Sequence, residues 1–260
     1  MTVTPFQTVF AVPLSCEDCI KDVSTSLNNI QGINKIDADL KQQLISIVGT
    51  AAPSAIVSAI QATGRDAILR GSGLPDSAAV CILETHSTSV ADKVRGIARM
   101  VQVSPTLTVV DLTIRGLSPG KYWASVRETG DISQGPASTG GILGALESSA
   151  AAAGAKTQGQ EGQGQKAQPR GLFGTVEIGK GGMGSVFFDR PIQIWEMIGR
   201  SMVVSKQQPE GGNFDKEDPD TLVGVIARSA GAWDNDKTVC SCTGKTLWEE
   251  RKEQVGKGMI

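Results

Sequence analysis

Two periods alternate along this chain. Over residues 6–13, Phe6, Thr8, Phe10 and Val12 alternate with Gln7, Val9 and Ala11, which predicts a strand. After Cys19 the apolar positions Ile20, Val23, Leu27 and Ile30 fall three or four apart, the spacing of a helix face. Residues 33–40 and 44–48 read as strands joined by Lys41-Gln42-Gln43. Pro53-Ser54 opens a second helix carrying Ile56, Val57 and Ile60, and residues 66–69 close with a short strand. The order is βαββαβ, a ferredoxin-like α+β sandwich.

Gly71-Ser72-Gly73-Leu74-Pro75 reads as a linker, after which the period becomes that of short strands between Gly, Pro and Ser. Strands are predicted at 80–84, 94–103, 106–117, 121–127, 172–178, 185–188, 198–205 and 222–227. About eight strands with an antiparallel meander point to an all-β sandwich or Greek-key barrel. The stretch 147–169 is Ala, Gly, Gln and Lys without a large aliphatic or aromatic residue, and cannot bury a core face. The expected organisation is a first unit over 1–72, a β unit over 77–230 with a disordered insertion at 145–169, and a polar tail over 231–260. Within the tail, 245–257 reads as a helix with a thin apolar face.

Composition narrows the class. Hydrophobic residues make up 40% and charged residues 20%, the balance of a soluble globular chain; 25 basic against 27 acidic side chains leave no excess to attract nucleic acid or an anionic membrane. No run of 18 apolar residues predicts a membrane-spanning helix. The N-terminal stretch lacks a basic region followed by a long apolar one, so no signal peptide is expected. The expected setting is reducing and cytoplasmic, with the mitochondrial intermembrane space left open.

The chemistry concentrates in cysteine. There are five, Cys16, Cys19, Cys81, Cys240 and Cys242, and one histidine, His86. Four of the five lie in close pairs, which argues against a disulfide framework. Paired thiolates without histidine favour a soft ion such as Cu(I), for which two sulfurs suffice. Cys16 falls in the loop after the first strand and Cys19 in the first turn of the helix, whose free N–H groups favour thiolate. Glu17 and Asp18 oppose that effect, and Arg65 is expected to offset them. A lone CxxC also serves as half a zinc site or as a thioredoxin-like redox pair. Structural zinc wants four ligands, however, and this unit has no second CxxC and no nearby histidine. Cys240 and Cys242 stand two apart, so an extended backbone puts both sulfurs on one face. Cys81 reads as a small core residue and His86 as a solvated loop residue. Gly179-Lys180-Gly181-Gly182-Met183-Gly184 matches GxGxxG, but a strand follows instead of a helix, so it reads as a glycine-rich turn.

Phe10-Ala11-Val12-Pro13-Leu14-Ser15-Cys16-Glu17-Asp18-Cys19 resembles the metal-binding loop of small copper chaperones, with Leu14 where the family has a Met that acts as a hydrophobic tether. Val80-Cys81-Ile82-Leu83-Glu84, the run from Gly116 to Asp131, the run from Ile198 to Val204, and Gly224-Val225-Ile226-Ala227 resemble Cu/Zn superoxide dismutase. With both cysteine pairs, the chain resembles the copper chaperones of that enzyme. The resemblance implies a Greek-key barrel of the dismutase type. Ser125 and Arg127 then stand at the dismutase's His-x-His, Ser205 at a later His ligand and Asp220 at its catalytic Arg, so neither zinc in the barrel nor dismutase activity is expected. It further implies a metallochaperone in which Cys16 and Cys19 acquire Cu(I), while Cys240 and Cys242 deliver it and exchange disulfides. A Cu/Zn superoxide dismutase subunit would dock at Val80, Ile82, Gly130, Ile198, Gly199 and Arg228, a surface that would also serve a homodimer. The alternative is a copper-independent thiol–disulfide oxidoreductase using both pairs.

Overall fold

The computed structural model describes residues 3–144, 169–209, 213–234 and 243–256. In the first unit, β1 (Phe6–Ala11), α1 (Glu17–Asn28), β2 (Ile33–Asp39), β3 (Leu44–Gly49), α2 (Pro53–Ala62) and β4 (Ile68–Ser72) follow in the βαββαβ order. The sheet runs β2-β3-β1-β4 and its paired strands are antiparallel. Helix α1 buries Cys19, Val23 and Leu27, four residues apart, and α2 buries Ile56 and Ile60. These stripes meet Phe10, Val12, Ile45 and Ile47 in one core. Each such side chain, fully buried, contributes about 1.5–3 kcal/mol of transfer free energy. The β2–β3 turn is shaped by Asp39, whose carboxylate accepts from the Lys41 and Gln42 amides at 2.8 and 3.0 Å.

Strand β4 differs from the 66–69 expectation. It begins at Ile68 and runs on through Gly71 and Ser72, which pair with Val9 and Thr8. The glycine read as linker is there for close approach: a Cβ on Gly71 would lie 1.9 Å from the Gly231 carbonyl oxygen.

The second unit is one eight-stranded antiparallel sheet curled into a nearly closed barrel. Its strands are β5 (Ala78–Glu84), β6 (Val94–Ser104), β7 (Leu107–Ile114), β8 (Gly120–Val126), β9 (Leu172–Ile178), β10 (Gly184–Arg190), β11 (Ser201–Ser205) and β12 (Leu222–Ser229). The order β10-β7-β6-β5-β12-β11-β8-β9 keeps a meander over β5–β7 and sends β8 to the far side. The interior holds Cys81, Leu83, Met100, Leu112, Tyr122, Phe173, Met202 and Leu222. The GxGxxG run forms the turn between β9 and β10, as expected, with the Gly179 amide on the Met183 carbonyl at 3.0 Å.

Two expected strands are shorter. The 106–117 stretch stops at Ile114, before Gly116 at φ +68°. The 198–205 stretch starts at Ser201, because a helical turn, α3 (Ile194–Met197), precedes it. A reciprocal capping box between Gln193 and Glu196 holds that turn, which buries Ile194 and Met197. The C-terminal helix α4 (Leu247–Gly256) lies within the expected 245–257. Of the insertion expected at 145–169, residues 145–168 lie outside the described residues.

The units are joined through side chains. Phe6 packs on Val101 and Val109 of the barrel. The Ser54 amide and hydroxyl donate to Asp111 at 2.8 and 2.6 Å, so a barrel carboxylate caps the start of α2. Arg251 of α4 grips Asp66 of the first unit with Nε and Nη2 at 2.9 and 3.0 Å.

Candidate metal centre and docking face

Cys16 is the N-cap residue of α1, in extended backbone, and Cys19 is the helix's third residue. This places the sulfurs 3.4 Å apart at the helix N-terminus. Cys16 is exposed, whereas Cys19 is 9% exposed. The Ser15 Oγ lies 3.2 Å from the Cys19 sulfur. The Ser15 hydroxyl, then the Arg65 guanidinium, then a backbone hydrogen bond at Ser15 and the Cys16 thiol bring the Cys19 thiol from 9.0 down to about 6. Arg65 is itself aimed by Asp22 at 3.2 Å and by the Thr63 carbonyl at 3.3 Å. The expected help from Arg65 is therefore present, but Ser15, which sequence reasoning passed over, contributes more. Its only signal was a hydroxyl four residues before Cys19. Asp18 turns to solvent, where it pairs with Lys21 at 3.0 Å. Leu14 is buried in the first core, the place a hydrophobic tether needs.

Among the described residues no group of three or more His, Cys, Asp or Glu converges on one point. The CxxC site therefore offers two soft donors on a partly open loop. Such a pair can hold a thiophilic ion and release it to an incoming thiolate, since no closed shell of ligands has to be dismantled. Cys240 and Cys242 lie outside the described residues. Cys81 is fully buried, and burial pushes its thiol up to about 12, which makes it a core residue and no ligand. His86 follows β5 in a loop, but it is half-buried against Gly135 rather than solvated.

The predicted docking residues do not all meet. Ile82 is 51% exposed on β5, beside half-buried Val80. They line one hollow with Ile132, Val223, Val225 and Ala227. Of these, Val225 and Ala227 are exposed on β12 and had not been singled out. Gly130 and Gly199 do not line that hollow, but their backbones nearly touch beside Val225: a Cβ on Gly130 would sit 2.1 Å from the Gly199 oxygen and 3.7 Å from the Val225 side chain. Ile198 instead packs against the barrel interior. Arg228, near the end of β12, is ion-paired with Asp76 at 2.7 Å.

At the positions that the sequence resemblance sets against the dismutase's histidines and catalytic arginine, the barrel holds internal contacts. Ser125 is buried on β8, and the Ser205 hydroxyl meets Thr221 at 2.9 Å. Arg127 is fully buried, donates to the carbonyls of Pro209 and Gly140, and lies 5.1 Å from the Phe214 ring centre. Against the cost of its burial, Asp220 is held below the usual carboxylate range by Ser118 and by Lys206 at 3.1 Å.

Residues 8–66 match the heavy-metal-associated domain. Over nearly the full length the chain is similar to "Superoxide dismutase 1 copper chaperone" of Debaryomyces hansenii, with 46% identity covering 98% of each chain. The protein of that name in Saccharomyces cerevisiae is 38% identical, covering 98% of this chain and 97% of its own. "Copper chaperone for superoxide dismutase" of Mus musculus is 32% identical, covering 96% and 90%. With relatives this similar along its whole length, the chain belongs to the family of copper chaperones for superoxide dismutase.

Proposed function

We propose that this protein carries Cu(I) as cargo and installs it in an immature Cu/Zn superoxide dismutase. The observation that carries the reading is the pair of sulfurs 3.4 Å apart at the start of α1, one of them kept as thiolate near neutral pH by Ser15 and Arg65. A charged soft donor captures a thiophilic ion, and the exposed Cys16 gives an exchanging thiolate access.

The barrel serves recognition. Its apolar strip, half-buried at Val80 and exposed at Ile82, Val225 and Ala227, is of the kind a subunit of similar fold covers, in a heterodimer with the dismutase or in a homodimer. Hydroxyls and a guanidinium at Ser125, Ser205 and Arg127 are poor zinc donors, so the barrel is read as zinc-free. Cys240 and Cys242 take the ion to the partner. Their disulfide form passes its oxidation to a reduced cysteine pair of the partner by exchange, itself ending as dithiol. The setting is cytoplasmic.

The test mixes Cu(I)-loaded protein with copper-free, disulfide-reduced dismutase under excess copper chelator, with oxygen present. Dismutase activity is expected with the intact chain and not with Cys240→Ser/Cys242→Ser. Activation that needs no copper on the chain would favour the oxidoreductase instead. No activation, despite copper bound at Cys16 and Cys19, would overturn the proposal.

A further inference from the structure

A cleft of about 1100 Å³ lies where α2 and β4 of the first unit, the outward face of β5–β7 and helix α4 meet. Arg65, Val80 and Ile82, which the copper reading uses, line it too, but that reading gives no role to its arginines on β6 and just after β7. Its barrel wall is set by register: Arg99 stands opposite Asp111, Ile97 opposite Thr113, and the Arg115 amide bonds to the Arg95 carbonyl at 2.8 Å. Alternation keeps these side chains on the outer face, since the intervening Ala98, Leu112 and Ile114 are fully buried inside.

Positive charge is crowded here. Burial foremost holds Arg115 and Arg99 below the usual guanidinium range; Asp92 and Asp111 oppose that, and the neighbouring charges of Arg95 and of Arg251 on α4 add to it. The nearby carboxylates are largely committed. Asp111 receives both Ser54 donors and comes only within 3.9 Å of Arg99. Asp66 is held by Arg251, Asp92 is ion-paired with Arg115 at 3.8 Å, and Glu250 adds one further acidic side chain to the wall; Arg95 Nε and Arg115 Nη2 each also donate to a backbone carbonyl, of Asp92 and Val94, at 3.0 Å. Between the arginines, the buried Thr113 hydroxyl has no hydrogen-bond partner, an arrangement folded proteins seldom leave unfilled.

We propose that this cleft binds a small polyanion, with Arg99 to one side of Thr113 and Arg95 and Arg115 to the other. Guanidinium forks match the paired oxygens of phosphate or carboxylate, and the apolar side chains of Ile82 and Ile97 on the same outer face strengthen such contacts by excluding water. Because three separate segments wall the cleft, an occupant ties the first unit, the barrel and α4 together.

The experiment is thermal denaturation of the full metal-free chain against rising inorganic pyrophosphate or citrate, with ionic strength held constant by sodium chloride. A saturable rise of several degrees is expected. It should be lost in Arg99→Gln, weakened in Thr113→Val and Arg115→Gln, and retained in Lys35→Gln, which removes one positive charge from β2. A response to pyrophosphate alone assigns a phosphate ligand, and a response to citrate alone a carboxylate. If Arg99→Gln does not melt cooperatively, Arg95→Gln with Thr113→Val takes its place. No saturable rise with either anion, or an equal rise in the arginine variants, overturns the proposal.

Discussion

The sharpest consequence of the metal centre concerns one proton. With its thiol at about 6, Cys19 is about 90% thiolate at pH 7, against about 1% for a thiol left at 9.0. The Ser15 hydroxyl contributes most to that difference and Arg65 comes second. Ser15→Ala should therefore raise the midpoint further than Arg65→Ala, and the double variant should approach an ordinary thiol. The assay is the rate of alkylation at Cys19 against pH, read by mass spectrometry of its peptide in a Cys240→Ser/Cys242→Ser background. Cys81, pushed up to about 12, stays silent over the working range. The sign for stability follows from the same shift. A folded-state thiol below its unfolded value stabilises the fold above pH 9, and that contribution is lost as pH falls through about 6. The denaturation midpoint of the metal-free protein should thus gain a rising component between those values that Cys19→Ser removes. An unchanged alkylation midpoint in Ser15→Ala, or a wild-type midpoint near 9, would falsify this account of the site.

Three further outcomes test the frame around it. Asp111→Ala removes the carboxylate that caps α2 from the barrel, and should cost about 1–2 kcal/mol in urea denaturation; an unshifted midpoint would mean that Ser54 needs no partner across the join. Arg127→Ala leaves a cavity and two buried carbonyls without their donor, and should cost about 3 kcal/mol or more; Arg127→Met keeps the packing, removes the buried charge and should cost less, an order that the two denaturation midpoints check. Ile82→Asp places a charge in the exposed apolar strip next to Glu84; it should weaken binding to a dismutase subunit about tenfold or more in titration calorimetry while leaving the melting temperature of the free chain nearly unchanged.

What the sequence disclosed depended on how far each cause lies along the chain. The ferredoxin-like order was legible because Val23 and Leu27, or Ile56 and Ile60, report a helix face through neighbours four residues away. The eight strands were legible for the same reason, with period two. Helix α3 was not, since four residues cannot show a period and its capping box involves only Gln193 and Glu196. Strand β4 was cut short because Gly71 looks like linker until the Gly231 carbonyl is placed against it. Cysteine spacing disclosed the metal centre, but not that Ser15 outranks Arg65, which depends on how the loop folds back on Cys19. The docking strip was half legible: Val80 and Ile82 were singled out, whereas Val225 and Ala227 join them only through the pairing of β12 with β5.

The loops of the barrel are tied by hydrogen bonds that need no metal. Arg127 ties β8 to the loops at Gly140 and Pro209, and Phe214 stacks on its guanidinium. Ser205 and Thr221 join the ends of the loop between β11 and β12, and Lys206, Asp220 and Ser118 close it against the start of β8. Each tie is an internal donor–acceptor contact whose strength does not change when a metal arrives or leaves. The apolar strip on β5 and β12 is thus carried by a barrel whose ties need no metal. On the proposed reading copper meets thiolate sulfur at Cys16 and Cys19, while Ser125, Ser205 and Arg127 of the barrel offer it hydroxyls and a cation that repels it. On the proposed reading, recognition and cargo handling are separated within one chain: the strip that would choose the partner lies on β5 and β12 of the barrel, and the thiols that would hold the ion lie at the start of α1.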